Sequence, residues 1–337
     1  MSRPQHGYDA VLLDLDGTVI RGVAPVPEAP AVVNELRQAG WAVQFITNNA
    51  SRAPEEVAAL LTAVGIGAAP EEVLTSAQAA AALLEARLAP GAAVLVVGTE
   101  ALATAVQAVG LRTVTTLASQ PVAVVQGHSP ETGWAQLAEA CLAIRGGALW
   151  IACNIDRTLP TERGLLPGNG AMVAALQAAT DRSPTVAGKP ARPMLDTALN
   201  RVGARCPLVV GDRLDTDIAG ARAAGMDSLL VLSGVADAPA LLACPPEQRP
   251  SHLGADLRVL RGSVDDARIQ ATPGWRVEPA DGGLVLHSDG DAGDSLDAVR
   301  TLCARWWAEH TGPVRVRAGD RSAAAVMAAV GLGEVIR

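Results

Sequence analysis

From Asp9 to about Gly262, apolar runs of strand length alternate with stretches of helical periodicity. The run AVLLDLDG gives way to PEAPAVVNELRQAG, which has proline near its start and stops at Gly40. WAVQFITNN is a second strand, and APEEVAALLTAVG a helix ending at Gly65. AAVLVVG, PVAVVQG and GALWIACN keep the rhythm, followed by PLVVGDR, TDIAGARAAG and SLLVLSG. Strands separated by helices predict parallel pairing through helical crossovers, hence an α/β fold with a Rossmann-like, doubly wound parallel sheet. At 337 residues the chain is long for one domain, so two or three compact units are expected.

Composition narrows the function classes. Hydrophobic residues make up 49% and aromatics only 2%, so the cores must be built from Ala, Val and Leu. A net charge of −8 with no basic tract argues against a nucleic-acid partner. No apolar run approaches the roughly 20 residues that span a bilayer. The stretch MSRPQHGYDA lacks the apolar core of a signal peptide. Five scattered cysteines without a CxxC pair fit reduced, mostly buried thiols. A cytoplasmic protein is expected.

One residue stands apart. Lys189 is the single lysine among 27 basic residues, the others all being arginine. Arginine offers a planar, diffuse fork, whereas lysine offers a compact point charge on a flexible stem.

The carboxylates carry the chemistry. In VLLDLDGTV, Asp14 and Asp16 follow an apolar strand directly. Asp-Gly is also a hairpin signal, but a helix rather than an antiparallel strand is expected to follow. A calcium loop would need its bidentate Glu where Pro25 stands. A solvated loop is the remaining bland reading. In PLVVGDRLDTDIAG, Asp212 again lies just past a strand, with Asp215 and Asp217 close behind. Asp217 also suits a helix N-terminus, where the dipole favours a carboxylate. Thr47, Asn48 and Asn49 end the FITNN strand, and each taken singly reads as a cap or an Asx turn.

Taken jointly they say more. Open parallel sheets bind ligands beyond the carboxyl ends of their strands. Asp14, Asp16, Thr47 and Asp212 all occupy that position, on three different strands. Carboxylates that close repel one another unless a hard cation joins them, and Mg²⁺ suits oxygen ligands together with phosphate. Lys189 follows Gly188 at an expected helix start and brings a positive charge to the same crevice.

DLDGT, ITNN, GKP and GDRLDTD, in that order and spacing, resemble the four motifs of the haloacid dehalogenase superfamily, specifically its phosphatases. The long insertion between the second and third motifs is similar to the large α/β cap (class IIA) of nucleotide, pyridoxal phosphate and glycerol phosphate phosphatases. CNIDRTLPTERGLLPGNGAMVAAL resembles that cap's return to the core. The resemblance is strongest to the actinobacterial glycerol 3-phosphate phosphatases, which also carry an extra C-terminal region. It implies a core of residues 1–77 and 186–262, a specificity cap of residues 78–185, and a small α/β C-terminal region, residues 263–337.

The same resemblance implies the roles. Asp14 is the nucleophile and Asp16 the general acid and base. Mg²⁺, with Mn²⁺ or Co²⁺ as substitutes, is held by the Asp14 carboxylate, the Asp16 main-chain carbonyl and Asp212. Thr47 and Asn48 hold phosphoryl oxygens, Asn49 lines the substrate site, Lys189 neutralises the transferring group, and Asp217 orients Lys189 or a metal-bound water. Asp16 favours ester hydrolysis over dehalogenation, since a halide leaving group needs no acid.

The expected reaction is hydrolysis of a small phosphate monoester, with glycerol 3-phosphate the leading substrate. The alternatives are a pyridoxal phosphate or nucleotide monophosphate phosphatase, and a non-catalytic phosphate-binding module. Transfer of the phosphoryl group to a sugar acceptor also stays open. Asn154, Asp156, Arg157 and Glu162 are candidate specificity residues of the cap. Its tryptophans, Trp134 and Trp150, are expected in cores, which leaves no platform for a planar ring and favours a polyol phosphate. His128 stands where relatives have an acid. In the tail, WRVEPA, LVLHSD and PVRVRAGD read as strands around the helix SLDAVRTLCARWWAEH. The tail is weakly similar to part of an acetyltransferase fold but lacks that fold's pyrophosphate loop, so packing against the core or an oligomer partner is expected instead.

Overall fold

The computed structural model describes residues 7–161, 163–280, 282–289 and 294–332. The chain divides into two compact units, residues 1–43 with 204–337, and residues 44–203.

The first unit is built on parallel strands. Their order is His252–Gly254, Asp227–Val231, Pro207–Gly211 and Ala10–Asp14. The innermost pair has no polar side chain before its end: Ala10 to Leu13 and Pro207 to Gly211 are all buried. Such continuous apolar runs are what a sheet covered on both faces requires. Leu13 pairs with Val210, so Asp14 lies opposite Gly211 and Asp212 is the next residue out. Helix Ala29–Gln38 turns Val32, Val33 and Leu36 inward and has proline in its first turn.

The C-terminal region belongs to this unit. Strands Trp275–Ala280 and Gly283–Ser288 pair antiparallel, and Arg315–Ala318 joins the second in parallel. Helices Ser295–Trp307 and Arg321–Ala329 pack on this sheet. The tail has no core of its own: Trp275, Leu286 and Leu302 lie in one apolar cluster with Ile218, Leu230, Leu241 and Leu253.

The second unit carries a five-stranded parallel sheet. Its order is Thr185–Val186, Leu149–Ala152, Ala123–Gln126, Ala93–Val97 and Arg112–Val114. Helices Trp134–Arg145 and Asn169–Thr180 close one apolar cluster over it, around Leu95, Val124, Trp150 and Leu176. The strand Ala42–Thr47 runs across the unit boundary and pairs in parallel with Val73–Thr75, Thr47 opposite Thr75.

The two cap tryptophans part company. Trp150 is buried as expected, but Trp134 is 84% exposed, which corrects its assignment to a core. Its helix buries Ala140, Ala143 and Ile144. Position 134 lies about 180° round the helix from Ala143, on the solvent side. Among the described residues no helix is long and apolar enough to cross a membrane.

Candidate active site

In the first unit the strand ends bring acids together. Asp14, Asp212 and Asp217 each offer a carboxylate oxygen within 4.8 Å of the other two. Asp14 is half-buried, while Asp212 and Asp217 are 0% and 1% exposed. Three hard, like-charged oxygen donors fit Mg²⁺ or Ca²⁺ and not a thiolate- or imidazole-seeking metal.

The cluster is built by close backbone approach. A Cβ on Gly234 would lie 1.9 Å from Asp212 Oδ2, and one on Gly17 would lie 2.3 Å from it. Gly17 also has φ +92°, a conformation open to glycine. Asp212 Oδ2 accepts a 2.6 Å hydrogen bond from the Val235 amide, and its carbonyl accepts from Ala236 at 3.0 Å. Ser233 Oγ donates to the Gly17 carbonyl at 2.7 Å, and Arg21 donates to the Ser233 carbonyl from Nε at 2.7 Å and from Nη2. The loops carrying Asp16 and Gly234 are therefore tied to each other as well as to Asp212.

Asp217 arrives by a different device. Residues Leu214–Ile218 form one wide helical turn in which Ile218 donates to the Arg213 carbonyl five residues back, at 3.2 Å. Such turns recur at functional sites because they re-aim side chains. Here the turn directs Asp217 back to Gly211, where an added Cβ would meet its Cγ at 2.3 Å, and Oδ2 accepts from the Arg213 amide at 3.1 Å. Asp215, next along, is exposed and paired with Arg213 at 2.9 Å. Asp16 is exposed beyond Asp14, and its loop is closed by a 2.7 Å bond from the Gly17 amide to the Ile20 carbonyl.

In the second unit the lone lysine is among the largest fully buried side chains, 1% exposed. A buried ammonium must be hydrogen-bonded, and Lys189 Nζ donates to the Ile46 carbonyl at 3.3 Å. Asn48 clamps its main chain: Oδ1 accepts from the Lys189 amide at 2.9 Å, and Nδ2 donates to the Lys189 carbonyl at 2.9 Å. Nδ2 also donates to Asp156 at 3.2 Å. The Asn48 carbonyl accepts from Ser76 Oγ at 2.6 Å and from Asn154 Nδ2 at 2.7 Å. Thr47 Oγ1 accepts from the Asn49 amide at 3.1 Å, and Asn49 Oδ1 from the Ser51 amide at 2.7 Å. Ser51 Oγ donates to the His128 carbonyl at 2.9 Å.

Of the candidate specificity residues, Asn154 is buried and engaged with Asn48, Asp156 is half-buried, and Arg157 is exposed. Glu162 lies outside the described residues. Sequence reading missed Ser76, Ser233 and Gly234. Gly234 had a legible signal, closing the run SLLVLSG just past its apolar residues, whereas Ser76 had none.

Family models agree with these segments. A haloacid dehalogenase-like hydrolase model matches residues 11–112 and a second, HAD-hydrolase-like, matches residues 186–260. The chain is 50% identical over 331 residues to the D-glycerol 3-phosphate phosphatase of Mycobacterium tuberculosis, covering 95% of this chain and 93% of that one. The chain belongs to the haloacid dehalogenase-like hydrolases.

Other hydrolases of the family match less of it. A Bacillus subtilis 5′-nucleotidase is 39% identical over 230 residues, 68% of this chain and 88% of that one. The crystal structure of the M. tuberculosis glycerol phosphate phosphatase in complex with magnesium superposes with a TM-score of 0.91, covering 97% of this chain and 98% of that one. A calcium complex of the same protein gives 0.92. Beyond the hydrolase segments, a GCN5-related N-acetyltransferase-like model matches residues 272–332.

Proposed function

We propose that this protein hydrolyses a small phosphate monoester, glycerol 3-phosphate foremost, with Mg²⁺ held by the Asp14 carboxylate, the Asp16 main-chain carbonyl and Asp212, Asp217 standing beside them, and with a covalent phosphate on Asp14. The observation that carries the reading is the convergence of those three carboxylates within 4.8 Å. It is supported by half-identity to a D-glycerol 3-phosphate phosphatase along nearly the whole chain, and by that protein's magnesium complex.

The steps follow from the residues. Asp14 attacks phosphorus, and the bond from phosphorus to the alkoxide breaks as Asp16 gives the leaving oxygen a proton. Asp16, now a carboxylate, takes a proton from the water that attacks the aspartyl-phosphate, and Asp14 and inorganic phosphate are released. Mg²⁺, when bound, offsets the charge of the acids and of the phosphoryl oxygens. The buried ammonium of Lys189 has, in this reading, the role of neutralising charge on the transferring group. Thr47 and Asn48, helped by main-chain amides, hold phosphoryl oxygens, Asn48 also clamping Lys189, and Asn49 lines the substrate site.

Residues 78–185 act in this reading as the cap that selects substrate. The five cysteines are all free thiols, consistent with a cytoplasmic enzyme. The test is phosphate release from a panel of small phosphomonoesters with Mg²⁺, repeated with Asp14→Asn. Glycerol 3-phosphate should give the highest kcat/KM and the variant should be inactive. Turnover retained by the variant removes the covalent mechanism, and a flat panel removes the substrate assignment.

A further inference from the structure

The C-terminal region is joined to the metal-site loop by a short path. The Val235 amide that holds Asp212 Oδ2 lies two residues before Asp237. Asp237 caps helix Ala238–Ala243, its Oδ1 accepting from the Ala240 amide at 2.8 Å. That helix buries Leu241 and Leu242 against the tail helix Ser295–Trp307. Trp307 Nε1 donates to the Leu242 carbonyl at 3.1 Å, one of the carbonyls a helix end leaves without an intrahelical partner. Trp307 is itself fixed by Arg249, whose Nη1 donates to the Trp307 carbonyl at 3.1 Å and whose Nη2 donates to the His310 carbonyl at 2.7 Å. The Arg249 guanidinium also lies 5.2 Å from the Trp307 ring centre.

We propose that the tail is a buttress for the metal site, with Trp307 as its positioning residue acting through Leu242 and the 233–237 loop on Asp212. Asp212 has little room, since the oxygen that Val235 holds occupies the space a Cβ on Gly17 or Gly234 would need. A loop free to drift would open the cluster that Asp14, Asp212 and Asp217 form. Groups behind metal ligands regularly set metal affinity by fixing ligand orientation. The region thus serves the hydrolase. The inference rests on the metal reading proposed above.

Calorimetric titration of Mg²⁺ into the full-length protein separates the two. Trp307→Phe keeps an aromatic ring and removes the indole donor, and should weaken Mg²⁺ binding by about threefold to tenfold, the range of one lost hydrogen bond. Arg249→Met, releasing Trp307 from the other side, should shift the affinity in the same direction. Val316→Ala, a core truncation in the tail strand, should lower Tm with Mg²⁺ affinity unchanged. Unchanged affinity in Trp307→Phe and Arg249→Met overturns the buttress, as does an equal loss in Val316→Ala. Absence of Mg²⁺ binding in the unmodified protein overturns the metal reading itself and the buttress with it.

Discussion

Asn48 holds Lys189 by both ends of its main chain, accepting from its amide and donating to its carbonyl, each at 2.9 Å. An added Cβ on the preceding residue, Gly188, would lie 2.6 Å from Asn48 Oδ1, so the clamp leaves no slack. A carboxamide is the side chain that offers a donor and an acceptor in one plane. Asn48→Ala removes both bonds and lets the Lys189 segment move. The expected outcome is a fall in kcat of about 100-fold, the scale of an ångström of misplacement. Mg²⁺ affinity, measured by calorimetry, should stay as it is, because the acids lie on other segments.

Lys189 itself is a test of charge. Lys189→Met keeps the length of the stem and removes the ammonium. Losing one preorganised electrostatic contact should lower kcat by about 100- to 1,000-fold. The ammonium is hydrogen-bonded where it is buried, so its loss should also lower Tm. Lys189→Arg should not rescue turnover, because a fully buried site shaped for a point charge has no room for the fork. Parallel kinetics and thermal melts of the two variants check both statements.

What the sequence disclosed, and what it withheld, follows from the range of the forces involved. Apolar run length and helical period are local, so strands such as Pro207–Gly211 and the tail strand Trp275–Ala280 were readable from their own residues. The strand-end positions of Asp14 and Asp212 were readable for the same reason. The wide turn that carries Asp217 was not, because a five-residue hydrogen bond leaves no mark in composition. Trp134 was misread because burial depends on which helix face a partner covers. Contacts such as Asn154 with Asn48, between residues far apart in the chain, exist only once both segments are folded.

Gly234 is a steric test of the metal site. Gly234→Ala would place a methyl group 1.9 Å from Asp212 Oδ2, closer than any real contact allows. The carboxylate must then turn away from Asp14 and Asp217 or lose its bond from Val235. Mg²⁺ binding should weaken by at least about tenfold, read by calorimetry and by the Mg²⁺ concentration that half-saturates turnover. An unchanged metal affinity would mean that Asp212 does not bind the ion through this oxygen.

The acid limb of stability should depend on His252, which is 0% exposed. Burial lowers its pKa below 6.5 and nearby Arg268 adds to this, while the Ser228 carbonyl, Asp227 and Asp265 oppose it less strongly. A base with a lowered folded pKa is neutral when folded and takes a proton more readily when unfolded. Its stabilising contribution is therefore complete above pH 6.5 and is lost as the pH falls below it. Asp227 contributes lower down. Burial raises its pKa, but hydrogen bonds from Tyr8 and Ser251, with the electrostatic pull of His252 and Arg268, together outweigh that and hold it below its ordinary value of 3.8. The stability it adds is present above that value and disappears in stronger acid. Of these two groups, only His252 titrates between neutrality and about pH 5, the window set by an ordinary histidine. His252→Leu keeps the site apolar and removes the titration, so its Tm should fall less over that interval than that of the unmodified protein. Equal losses in the two proteins would assign the acid sensitivity to other groups.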